Sequence, residues 1–95
     1  MILVRDIFQA KYGQGDELVS LFKEAQRLWS PYAGRILTDV SGSFFTVVVE
    51  TEVENLGQWE SAVNDVFSSS EFDDWFSRMQ KLVESGSREF YRIEA

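Results

Sequence analysis

The 95-residue sequence has no cysteine, no histidine and a single proline. Without cysteine there is no disulfide framework, no thiolate nucleophile and no Cys-ligated metal site. Without histidine there is no Ser-His-Asp triad, no imidazole acid or base near neutrality, no zinc site of the usual kind and no histidine-ligated haem. Positive charge is scarce as well: nine Lys and Arg stand against sixteen Asp and Glu, a net charge of −7. That balance argues against nucleic acid or an anionic membrane as a partner. No apolar run approaches the roughly 20 residues of a membrane span. Met1 leads straight into Ile2-Leu3-Val4-Arg5, without the basic-then-apolar layout of a signal peptide. The expected compartment is the cytoplasm, which a cysteine-free chain permits.

What the sequence does have is rings. Aromatics make up 15% of it, including Trp29, Trp59 and Trp75, which implies a core built on large side chains. A chain this short is expected to be one domain over 1–95, burying only roughly 60–65% of its unfolded surface.

Residues 2–11 read as a strand with apolar groups on both faces, and Tyr12-Gly13-Gln14-Gly15 as a turn. Asp16 is placed to cap a helix over about 17–30, whose buried stripe is Leu18, Leu21, Phe22, Ala25, Leu28 and Trp29. Pro31 and Gly34 are expected to end it. A second strand is expected from Arg35 to Ser41, then a two-residue Gly42-Ser43 turn, then a strand from Phe44 to Val53. That strand carries Phe45, Val47, Val49, Thr51 and Val53 on one face and Phe44, Thr46, Val48, Glu50 and Glu52 on the other. Asn55 caps a helical arm that Ser68-Ser69-Ser70 interrupts; its apolar side runs from Leu56 through Trp59 to Phe72, Trp75, Leu82 and Val83. Gly86 is expected just past its end, and residues 88–94 form a closing strand.

The order is βαββαβ. It predicts an α+β, ferredoxin-like fold: a four-stranded antiparallel sheet with the helices on one face. The other face then presents Phe44, Val48, an apolar set from residues 2–11, and Phe90 or Tyr91. Left in water it would be an unusually large apolar patch, so a homodimer packed sheet to sheet is expected.

The stretch Lys11-Tyr12-Gly13-Gln14-Gly15-Asp16-Glu17-Leu18-Val19-Ser20-Leu21-Phe22 resembles the strand-turn-helix opening of dimeric α/β-barrel proteins, the antibiotic-biosynthesis monooxygenase-like and NIPSNAP-like families. The runs Glu71-Phe72-Asp73-Asp74-Trp75-Phe76-Ser77-Arg78-Met79 and Val83-Glu84-Ser85-Gly86-Ser87-Arg88-Glu89-Phe90-Tyr91 are similar to small bacterial NIPSNAP-like members. The resemblance implies a two-fold dimer whose sheets close a barrel, with ligand cavities between sheet and helices. The superfamily holds cofactor-free monooxygenases, haem-degrading enzymes, isomerases, dehydratases and proteins of unknown role, so the fold selects no activity. The haem-degrading branch uses an axial histidine, which this chain lacks.

With no His or Cys, acid–base work would fall to residues such as Asp6, Arg5 and Tyr91, polar groups set in apolar strands, with Trp75 beside them. The plainer reading of Asp6 and Arg5 is ion pairing at a dimer interface or strand end. Trp29, Trp59, Phe72, Trp75 and Phe76 are the candidates to line a pocket for an apolar ligand; the plainer reading is core. Tyr32 would gate such a pocket or sit on the surface. No metal is expected: Glu50, Glu52, Glu54 and Asp73-Asp74 lack the loop spacing of a carboxylate site. No cofactor is expected either, since Gly13-Gln14-Gly15 lacks the further glycine of a dinucleotide loop. Residues 36–77 hold nine acids and no Lys or Arg, whereas the flanks net +2, a lobe that either guides assembly or is simply solvated.

Three functional readings stay open. One is a homodimeric barrel protein binding a small apolar molecule between sheet and helices. Another is a cofactor-independent monooxygenase or isomerase acting on an aromatic or polyketide-like substrate. The third is a structural or assembly module. Whether the chain is an enzyme is left undecided.

Overall fold

The strand at residues 2–11 is β1, Ile2–Ala10, and it lies inside the sheet with a neighbour on each side. The other strands are β2 (Ala33–Thr38), β3 (Thr46–Val53) and β4 (Val83–Arg92). All pairings are antiparallel, in the order β2-β3-β1-β4. Three helices, α1 (Gly15–Ala25), α2 (Leu56–Phe67) and α3 (Ser70–Gln80), complete the ferredoxin-like α+β arrangement. The computed structural model describes residues 1–95, Ala33 by its backbone alone.

Register sorts the strand faces. Val4, Asp6 and Phe8 of β1 lie opposite Thr51, Val49 and Val47 of β3, and this face meets the helices. Leu3, Arg5 and Ile7 lie opposite Glu52, Glu50 and Val48 on the open face. Alternation along a strand makes this division automatic.

Several boundaries differ from the sequence expectation. Asp16 does not cap α1; Gln14 holds that position without a side-chain bond, and Asp16 and Glu17 fill the first turn, where they complement the helix dipole. The helix tightens into a 3-10 turn over Gln26–Trp29 rather than running on to 30. Gly34 is a strand residue and not a helix stop. It sits where the β2–β3 register slips, and a Cβ there would lie 2.0 Å from the Glu50 carbonyl oxygen. The expected two-residue turn is a longer loop over 39–45, because the Asp39 carboxylate accepts the Thr46 N–H at 3.0 Å and closes the loop from its base. Phe44 therefore leaves the sheet and is exposed. Gly86, expected beyond a helix end, lies within β4 opposite Phe8. Leu82 and Val83, expected on the helical stripe, instead begin this strand's pairing: the Leu82 carbonyl accepts from Lys11, and Val83 pairs with Ala10. The nine residues of β1 need backbone partners along their whole outer edge, and a longer β4 supplies them.

The caps of the helical arm match the expectation. The Asn55 side chain accepts the Gln58 N–H at the start of α2, and the Ser69 hydroxyl accepts the Glu71 N–H at the start of α3.

The core between sheet and helices is in two parts. One is built on Ala10, Leu18, Leu21, Phe22, Val47 and Trp75. The other is built on Val4, Val53 and Trp59. Along β1 the residue between them on the same face is Asp6.

Candidate functional site between sheet and helices

A cavity of about 190 Å³ opens where the two parts of the core meet. Trp29, Trp59, Phe72, Trp75 and Phe76 all border it, from the 3-10 turn, α2 and α3. Their rings pack as two groups. Trp29 and Trp59 stack with nearly parallel, offset planes, centroids 5.4 Å apart and 7° from parallel. Phe72 stacks on both Trp75 and Phe76, at 5.8 and 5.5 Å. The Trp75 indole N–H donates to the Leu21 carbonyl at 2.7 Å, so its polar end is occupied and its ring is left for the cavity.

Among the described residues the charged side chains bordering the cavity are Asp6 and Arg88, which lie opposite each other in the β1–β4 register. The pair is bidentate: Arg88 Nε donates to Asp6 Oδ1 at 2.5 Å and Nη2 to Oδ2 at 3.2 Å. The guanidinium carbon also lies 5.0 Å from the centre of the Trp59 ring, within cation–π range. Asp6 is mostly covered and Arg88 is nearly half exposed, so the arginine stands at the mouth. Gln26 and Thr51 add neutral polar groups to the lining.

Arg5 and Tyr91 are on the other side of the sheet from Asp6 and Trp75, so the four do not form one constellation. Arg5 approaches the buried Glu50 carboxylate at 3.5 Å, and Arg35 meets it at 2.5 Å. Arg5 Nε is buried without a hydrogen-bond partner. The neighbouring Glu89 carboxylate accepts from the Tyr91 hydroxyl and raises its pKa above the ordinary value. A phenol held protonated can donate a hydrogen bond at neutral pH but is a poor base. Tyr32, partly buried, packs against the smaller part of the core.

The acids of residues 36–77 are partly answered by bases from outside that window. Arg27 pairs with Glu71 and Arg78 with Asp74. Glu71 and Asp73 occupy the first turn of α3. Among the described residues no group of three acidic side chains is gathered to hold a metal. No helix is long and apolar enough to cross a membrane.

Sequence reasoning missed Arg88, Gln26 and Thr51. Arg88 was legible only as the first residue of a closing strand; its pairing with Asp6 follows from a register that joins positions 82 residues apart.

No protein-family model matches the sequence, and no curated protein matches it. Solved structures do match. An uncharacterised NIPSNAP domain protein from Burkholderia xenovorans superposes with a TM-score of 0.90 at 14% identity, covering 100% of this chain and 96% of that one. The fold is the NIPSNAP fold. A NIPSNAP family protein from Agrobacterium tumefaciens superposes at 0.88 with 15% identity, over 96% of this chain and 90% of that one. A candidate antibiotic biosynthesis monooxygenase from Nitrosomonas europaea gives 0.73 at 10% identity, over 100% of both chains. At these identities the likeness is one of architecture. That fold sets helices against one face of a sheet and by itself selects no activity.

Proposed function

We propose that this chain binds a small, largely apolar molecule in the cavity between its sheet and its helices. The observation that carries the reading is the lining: stacked and tilted rings broken by one ion pair and two neutral polar side chains. Binding pockets share this make-up of apolar walls with a few polar anchors. The volume of about 190 Å³ exceeds the ~150 Å³ that admits benzene and falls short of the ~300–1,000 Å³ of drug-sized sites. A molecule of one or two rings fits that range.

Native mass spectrometry of protein purified from its own host tests this directly. A retained small molecule that is lost on denaturation supports the reading. A bare chain mass, together with tryptophan fluorescence indifferent to one- and two-ring probes, would sink it.

Enzymatic oxidation or isomerisation of the same molecule rests on a narrower observation, the Asp6 carboxylate at the cavity wall. Both Asp6 oxygens already accept from Arg88, so binding is the better-supported reading.

We also propose that the open face of the sheet is covered by a second copy of the chain. Ile7, Leu37 and Val48 share a hollow on that face with Ser85 and Ser87, and Tyr91 is exposed beside Leu3. Sedimentation is the check: the reading requires twice the 11.0 kDa chain mass at micromolar concentration, and a monomer there rejects it.

A further inference from the structure

We infer that the Asp6–Arg88 couple selects the charge type of the ligand, admitting uncharged molecules that carry a hydroxyl or similar group and rejecting both anions and cations. The inference rests on the proposed binding in the cavity and concerns what that cavity accepts.

Arg88 spends the N–H of Nε and one of Nη2 on Asp6, so three of its five N–H donors remain, the nearest to the carboxylate being the second hydrogen of Nη2. A carboxylate has about four lone-pair sites, and two of the Asp6 sites are taken. Unused donors and acceptors therefore stand side by side at the border of a largely apolar space, whose other polar side chains are the neutral Gln26 and Thr51. A neutral hydroxyl both donates and accepts, so it satisfies that pair without disturbing it.

A charged ligand fares differently. Its entry costs the hydration of its charge, which only a net opposite charge in the site can offset. The couple sums to zero. A carboxylate ligand would compete with Asp6 for the guanidinium, and an ammonium ligand would compete with Arg88 for the carboxylate. The cation–π contact at 5.0 Å between Arg88 and Trp59 holds the guanidinium against the wall and raises the cost of turning it toward a new partner. Removing either member of the pair leaves a single charge at the cavity, and the preference should turn toward its opposite.

Benzyl alcohol, benzylamine and benzoate are single rings of similar size that are neutral, cationic and anionic at neutral pH. Their affinities for the intact chain are measured by calorimetry or by NMR line shape. The expected result is benzyl alcohol bound at least about tenfold more tightly than either charged probe, from the uncompensated desolvation of a charge. In Arg88→Met benzylamine becomes the favoured probe; in Asp6→Asn benzoate does. Arg88→Lys restores a positive charge and with it the preference for benzyl alcohol. Arg88 is nearly half exposed on an edge strand, so its variants keep the fold even if Asp6→Asn does not, and the Arg88 arm decides alone. Melting curves verify this. An unchanged ranking of the three probes in Arg88→Met overturns the inference. Failure of all three to bind any form overturns the binding proposal itself, a separate outcome.

Discussion

The indole of Trp75 and the carbonyl of Leu21 form a buried hydrogen bond of 2.7 Å that ties α3 to α1 across 54 residues of chain. The same ring packs on Phe22 at 5.5 Å and on Phe72 at 5.8 Å. It serves the larger part of the core and the cavity wall at once. Trp75→Phe keeps a ring but removes the donor and leaves space. The expected loss is about 1–3 kcal/mol, from one buried hydrogen bond and a small void. Urea denaturation measures it, and a midpoint equal to that of the parent would show that the bond contributes nothing.

Gly34 is held by a neighbour rather than by its own torsions. The Cβ of Gly34→Ala would fall 2.0 Å from the Glu50 carbonyl oxygen, closer than any real contact. The β2–β3 pairing must open around it. The expected cost is about 3 kcal/mol, at the upper end for overpacking because the obstacle is backbone and cannot rotate away. Amide hydrogen exchange should show protection lost first in β2, and full protection there would contradict this account.

Asn55→Ala removes the side chain that accepts the Gln58 N–H at the start of α2. A lost cap of this kind costs about 1 kcal/mol. Trp59, one residue further along α2, carries the smaller part of the core, so the fraying should reach the cavity. The check is a lower melting temperature with a more mobile Trp59 resonance; Asn55→Ser should recover most of the loss.

The pH dependence near the acid limb has an identified contributor. Arg78 donates two hydrogen bonds to Glu24, at 3.1 and 2.7 Å, and chiefly these bonds hold the Glu24 pKa below its ordinary value of 4.5. The depressed value means that the folded chain binds fewer protons than the unfolded chain in this range. The stabilising contribution is therefore present above pH 4.5 and lost as pH falls through the lower folded value. The group is exposed, so the effect is small and weakens with salt. Denaturation midpoints followed from about pH 6 to about pH 3 should decline less steeply in Glu24→Gln than in the parent; parallel curves would rule Glu24 out.

A charge on the open face separates pairing of copies from folding. Ile7 sits at the centre of that face, opposite Val48 on one side and Ser87 on the other. Ile7→Lys should halve the sedimenting mass of a sheet-paired dimer while the circular dichroism of the chain stays near that of the parent. A mass unchanged by Ile7→Lys would place the contact elsewhere.

Features decided within a few residues were legible in the sequence. The alternation of Val47, Val49, Thr51 and Val53 assigned one face of β3 to the helices, because side-chain direction in a strand has period two. Asn55 and the Ser68-Ser69-Ser70 triplet marked the starts of α2 and α3, because a cap bonds to an amide two or three residues on; which serine of the three does so, Ser69, is set by the structure. Helical spacing also grouped Trp29, Trp59, Phe72, Trp75 and Phe76 as candidates for the space between helices and sheet; all five border one hollow there, Phe76 from an exposed position.

What the tertiary structure alone decided depends on residues distant in the chain. Gly34 and Gly86 look like helix punctuation locally. Each is a strand residue, Gly34 set against the backbone of β3 and Gly86 against the Phe8 ring of β1. Asp6 reads as an isolated carboxylate among apolar neighbours until β4 brings Arg88 opposite it. Arg5, its neighbour in sequence, faces the other way and belongs to Glu50. Local periodicity sets which way a side chain points; only the register between strands sets what it meets. For this protein that register places one ion pair at the seam between two aromatic clusters.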